Sequence, residues 1–241
     1  LLAAAWIPCE NKEHLTFLIQ MLIRSGFNFN EFPIMTDRGP LLSVARVLEV
    51  TIGITLSFKY CLEHIIRNIS HKFKLEVHHQ IPLRCGMAEL QCSKSINMFI
   101  EQIDNMINQF KDIGLDVAKY ILRIHPRHWT VFGNRMSLDD PLWYIEYCKK
   151  LRELFNDYEL TDDIIMKKYV DKSVPIGNKF PLMGTCRNNV AEGASFFTGK
   201  DGIRSKLPSE AIKNWLNSAN MMMKRFVENG NRIKKSEKMF H

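Results

Sequence analysis

Apolar residues recur along this chain at two kinds of spacing, and the character changes after Lys74. Residues 1–8 form a small apolar run closed by Pro8, which predicts a buried strand. In residues 13–24 the apolar positions Leu15, Leu18, Ile19 and Leu22 share one face of a helix, which Gly26 ends. Residues 32–36 are a short apolar run ending on Asp37, followed by Arg38-Gly39-Pro40 and a helical stretch at 41–49. Residues 52–58 alternate as a strand does, and 60–72 return to helical spacing. Strands alternating with helices at this pitch predict an α/β layer with parallel pairings.

Beyond residue 74 the pattern is helical. Ile96, Phe99, Ile100, Ile103, Met106, Ile107 and Phe110 form one apolar stripe over four turns. Further helices are predicted at 115–124 and 141–155. Residues 178–187 read as a loop, and 208–228 as a long helix with Pro208 in its first turn and Gly230 beyond its end. The predicted organisation is an α/β first third followed by a helical middle and a helical end. A chain can leave a sheet in this way, build a helical block, and return to complete the sheet.

Composition changes the picture little. The chain has 241 residues, 46% hydrophobic and 24% charged, with a mean hydropathy of -0.17. That supplies a core without any run of the roughly 18 apolar residues that spans a bilayer, so no membrane partner is expected. Six irregularly spaced cysteines do not form a disulfide framework, which points to a reducing compartment. The chain begins with Leu1 rather than Met, and its start is expected upstream.

Charge is more informative by region. The net charge is +7, a lean towards a polyanionic partner. Residues 224–241 carry six Lys or Arg against two Glu, whereas residues 139–163 carry eight acidic and three basic side chains. A surface that tracks nucleic-acid phosphates could use the first segment and would avoid the second. Both also fit solvated helix faces.

Three places carry candidate chemistry. Asp37 stands at the carboxyl end of a predicted strand, where open α/β sheets place catalytic groups, and its carboxylate suits a hard cation such as Mg²⁺. It would equally serve as the cap of the next helix. Cys61 and His64 form a C-x-x-H whose two side chains share one helix face and could ligate zinc with help from His78, His79, Cys85 or Cys92. Packing beside the sheet explains the pair more simply, and zinc is not the expected cofactor. Glu192 follows Asn188-Asn189 and suits the first turn of a helix, or a carboxylate aimed back at the sheet edge. The segment His125-Pro126-Arg127-His128-Trp129 reads as packing at a helix end.

Taken together and in order, these motifs resemble those of Mutator-like (MULE) transposases. The strand ending in Asp-Arg is Ile34-Met35-Thr36-Asp37-Arg38-Gly39, and the C-x-x-H one strand later is Cys61-Leu62-Glu63-His64, with Asn68 beyond it. The late Asn-x-x-Glu is Asn189-Val190-Ala191-Glu192. Trp129 ahead of it, and Arg204 before Pro208, also fit. The segment 1–23, with Trp6, Glu10-Asn11 and Phe17-Leu18, is similar to the strand and helix that precede the Asp. The likeness runs along most of the chain and is weakest through 141–185.

The resemblance implies a ribonuclease-H-like core, incomplete here, with an all-helical insertion. The implied parts are an α/β part at 1–75, the insertion at 76–185, helices completing the core at 186–229, and a basic tail at 230–241. Asp37 and Glu192 would be the second and third catalytic carboxylates, holding Mg²⁺ or Mn²⁺ for DNA cleavage and strand transfer at transposon ends. Arg38, Arg204, Lys224 and Arg225 would contact DNA, in a nuclear protein for which a homo-oligomer stays open. Cys61 and His64 are a family marker.

Two departures bear on activity. The first catalytic Asp is expected on a strand before Leu1, and residues 1–36 contain no Asp, so this chain alone is expected to be inactive. Gly193 stands where the family has Ser, and Ser195 where Asn is common. The alternative expectation is therefore a domesticated relative that binds DNA or regulates without catalysis.

Overall fold

Two short strands pair in parallel around one helix as a β-α-β unit, and helices make up nearly everything else among the described residues. The structure, a computed structural model, describes residues 11–37, 39, 41–135, 141–171, 174–180 and 182. All of these belong to one compact unit, Ile7–Asn188. The expected strand at 1–8, the late loop from 183, the helix at 208–228 and the basic tail lie outside the described residues.

Helix α1 (Lys12–Arg24) starts where Asn11 Oδ1 accepts the His14 N–H at 2.9 Å. That is the capping interaction that satisfies an otherwise orphaned donor. It buries Leu15 and Ile19, as the sequence spacing requires. Strand β1 (Ile34–Thr36) follows, then α2 (Leu42–Ile52) and β2 (Phe58–Tyr60). The strands run parallel, with Ile34 opposite Phe58 and Thr36 opposite Tyr60. The Ile34 N–H donates to Ser57 O at 2.9 Å and the Cys61 N–H to Thr36 O at 3.0 Å, closing the ladder at both ends.

The second strand is displaced from its sequence reading. Residues 52–58 were expected as the strand, yet Ile52 is the last residue of α2 and pairing begins only at Phe58. Gly53 explains the end of the helix: at φ 67° it takes the left-handed conformation that glycine tolerates and donates its N–H to Glu49 O. Tyr60, expected as the start of a helix, is the last strand residue. All three residues of β2 are buried, so this strand shows no alternation from which to read its register.

Helix α3 (Leu62–Lys72) leaves the sheet directly, and α4 (Val77–Cys92), α5 (Ile96–Gln109), α6 (Gly114–Leu122), α7 (Pro141–Phe155) and α8 (Asp162–Tyr169) follow. Helix α4 gives little periodic signal and holds Pro82 in its interior, which removes one helical hydrogen bond. In α5 the expected stripe is buried at Ile96, Phe99, Ile103 and Met106.

The centre of this helical block is aromatic. Phe99 meets Trp129, Phe132 and Tyr147 with ring centroids 5.1–6.3 Å apart. Tyr147 is fully buried and donates its hydroxyl to Leu122 O at 2.7 Å, which removes the cost of burying the phenol. Each of these side chains contributes about 2–3 kcal/mol by burial. No helix among the described residues is long and apolar enough to cross a membrane.

Candidate functional site

The carboxyl ends of β1 and β2 lie side by side, and each ends in a motif singled out in the sequence. Asp37 is the residue after Thr36, and Cys61 the residue after its partner Tyr60. Two motifs 24 positions apart in sequence thus leave adjacent parallel strands at the same edge, where α/β sheets place ligands.

Asp37 is exposed. Its Oδ1 accepts the Gly39 N–H at 3.1 Å, and the Thr36 hydroxyl approaches the same oxygen at 3.5 Å. A Cβ at position 39 would stand 2.6 Å from that oxygen, so glycine leaves the carboxylate where it is. The arrangement is an acidic side chain fixed by a main-chain donor at the mouth of a turn. It serves the turn by itself, and it also presents a positioned negative charge to solvent.

Cys61 caps α3 in an extended conformation and is buried, and His64 in the first turn is half-buried. Between them Glu63 is almost buried and takes a charge-assisted hydrogen bond from Arg84 of α4 at 2.5–2.7 Å. The motif therefore sits at the junction of the sheet edge with α3 and α4. Among the described residues no group of three His, Cys, Asp or Glu side chains is placed to hold a metal ion. Glu192, Arg38, Arg204, Lys224 and Arg225 lie outside the described residues.

A second polar cluster lies against β2 and has no clear sequence signal. Lys59 is 2% exposed. Its Nζ donates to Arg127 O at 2.8 Å, Asn134 Oδ1 at 2.6 Å and Asn178 O at 3.4 Å. Asn134 in turn donates its amide to Arg127 O and Thr130 O, and its Oδ1 also accepts the Phe180 N–H. Burial, and then the Arg127 guanidinium, bring the Lys59 amine down to about 7. The charged form keeps a partner for each of its three donors.

The histidines of the 125–129 segment belong to the same cluster. His128 Nδ1 donates to Phe58 O at 3.0 Å, since a carbonyl only accepts, and its ring stacks on Tyr60 at 4.7 Å. It thereby occupies a main-chain acceptor on β2 that a third strand would otherwise use. His125 Nδ1 accepts the Arg127 N–H at 3.2 Å, which requires the neutral ring. Burial, followed by the positive fields of His128, Arg127 and Lys59, takes His125 down to about 3. Trp129 is fully buried. Packing is the right reading of this segment, and the packing is against the sheet. In the sequence, Lys59 between Phe58 and Tyr60 fits a strand with one wet face; the block that covers that face is remote along the chain.

Comparison with protein-family models, with curated proteins and with solved structures finds no match to this chain.

Proposed function

We propose that this chain is part of a DNA transposase of the Mutator-like class, built on a ribonuclease-H-like core. The observation that carries the reading is the carboxyl edge of the parallel pair, where Asp37 and the Cys61–His64 motif leave neighbouring strands. Asp37 has the chemistry of an Mg²⁺ or Mn²⁺ ligand: an exposed hard oxygen donor held in place by its own turn. One carboxylate does not hold a divalent ion. Glu192 and an Asp ahead of Leu1 would complete the set, and the ion would then supply charge stabilisation for phosphodiester cleavage and strand transfer. Arg38, Arg204, Lys224 and Arg225 would contact the DNA of transposon ends and target, in the nucleus.

The test is Asp37→Asn in the full-length protein. Asparagine keeps the side-chain oxygen that accepts the Gly39 N–H and removes only the charge. Excision should fall to background while DNA binding persists; excision near the wild-type level would rule the assignment out.

One observation favours a second reading. The hydrogen bond from Gly39 already gives Asp37 a complete structural role, as a non-catalytic DNA-binding or regulatory relative would need. Such a protein would bind DNA identically with either residue at position 37 and would show no excision with Asp in place.

A further inference from the structure

Away from the sheet edge, cations and aromatic rings alternate across the outside of the helical block. At the end of α3, Lys72 Nζ lies 4.8 Å from the Tyr120 ring centre and 5.6 Å from that of Phe73. The Phe73 and Tyr120 rings meet edge to face. Next to Tyr120 on α6, Lys119 and Arg123 both reach the Phe155 ring at 5.6 Å. Phe155 stacks on Tyr169 at 3.9 Å, and Lys168 sits 5.1 Å from the Tyr169 ring. Two such groups, one between α3 and α6 and one between α6, α7 and α8, meet on α6, where Tyr120 follows Lys119. Four cations thus lie within the roughly 6 Å reach of a cation–π contact on two pairs of touching rings.

The charges are not spent internally. Among the described residues no carboxylate lies in ion-pair range of Lys72, Lys119 or Arg123, although Lys168 is paired with Asp157 at 2.7 Å. Asp116 shares the α6 face with Lys119 and Arg123, and Asp157 of the acidic 139–163 segment takes both Lys168 and the Tyr169 hydroxyl, so the excess charge rests on Lys72, Lys119 and Arg123 at the end of the row away from that segment. The rings act on the cations rather than on a ligand. The Phe155 ring already meets Lys119, Arg123 and Tyr169, so the row is poorly suited to stacking unpaired bases. What it offers is a set of positive charges whose long side chains are already ordered, which lowers the entropic cost of a contact.

We propose that this row of ring-held cations docks the phosphate backbone of double-stranded DNA, without reading its sequence. The proposal rests on the reading of the chain as a DNA-processing protein and adds a surface remote in sequence from the residues assigned to DNA above. An acidic protein segment is the competing partner, and the experiment separates the two.

The full chain is titrated against a fluorescent duplex of mixed sequence over a range of salt concentrations, with poly-glutamate as the second probe. Lys72→Glu, Lys119→Glu and Arg123→Glu are combined. The control combines Lys12→Glu, Arg24→Glu and Lys149→Glu, an equal change of net charge away from the row. The row variant should bind the duplex at least roughly tenfold more weakly, and the slope of log K against log salt should fall by about 2 to 3. The control should lose much less. The corresponding Gln variants keep the aliphatic stems on the rings and should show the same ordering if the Glu set does not fold. Equal losses in row and control variants overturn the surface and leave the DNA reading standing. A wild-type chain that binds poly-glutamate but no duplex overturns both.

Discussion

Two polar sites adjoin the same pair of strands and are built in opposite ways. At the carboxyl edge Asp37 is exposed and held by a main-chain donor. Against β2, Lys59 is buried with an acceptor for every proton of its ammonium. The difference separates what holds this molecule together from what it can present to a ligand. A saturated buried amine joins three stretches of chain that are far apart in sequence, and it is closed to substrate. A carboxylate held by a short turn costs little to keep and is free to meet a cation.

The largest effect is expected at Lys59. Lys59→Met fills the space but removes three charge-assisted hydrogen bonds; Asn134 Oδ1 and Arg127 O keep the Phe180 N–H and the Asn134 amide, while Asn178 O loses its donor. The loss should be about 2–4 kcal/mol in a denaturant titration. A loss below about 1 kcal/mol would mean that the lost ammonium contacts are replaced and that the cluster is no staple.

The pH profile should carry the same signature. Both Lys59 and His125 have folded values below their unfolded ones, at about 7 against 10.5 and about 3 against 6.5. In each window the unfolded chain binds more protons, so stability falls as pH falls. His125 should therefore erode stability from about pH 6.5 down to about 3, and Lys59 from about 10.5 down to about 7. Thermal melts of the Lys59→Met variant should lose the upper window and retain the lower. An unchanged upper window would assign it to another group.

The smallest change is expected at the exposed site. Asp37→Asn should alter folding stability by no more than about 0.5 kcal/mol, as surface substitutions that keep their hydrogen bond do. A large destabilisation would make Asp37 a structural residue like Lys59 and dissolve the contrast.

Much of this arrangement was legible in the sequence where one residue type repeats at one spacing. The stripe in α5 and the limits of α7 follow from periodicity. Asp37 was found because a turn follows it. Helix α4 was hidden by Pro82 and a weakly amphipathic pattern. The position of β2 was hidden because a strand buried on every side has no polar phase, and the Gly53 cap extends α2 into the run that looked like the strand. Lys59 could not be read at all, since its burial depends on Arg127, Asn134 and Asn178, between 68 and 119 positions away. The joint placement of Asp37 and Cys61 is likewise a matter of strand register, which only the pairing supplies.

The most direct test of the central claim is the separation of the Asp37 and Glu192 carboxylates in a crystal of the full-length protein grown with Mn²⁺. Metals that act as a pair sit about 3.5–4 Å apart, so carboxylates that share them should lie within roughly 8 Å of each other. The account predicts that closeness at the carboxyl edge of β1. Carboxylates much further apart would contradict it and leave Asp37 as the cap of a turn.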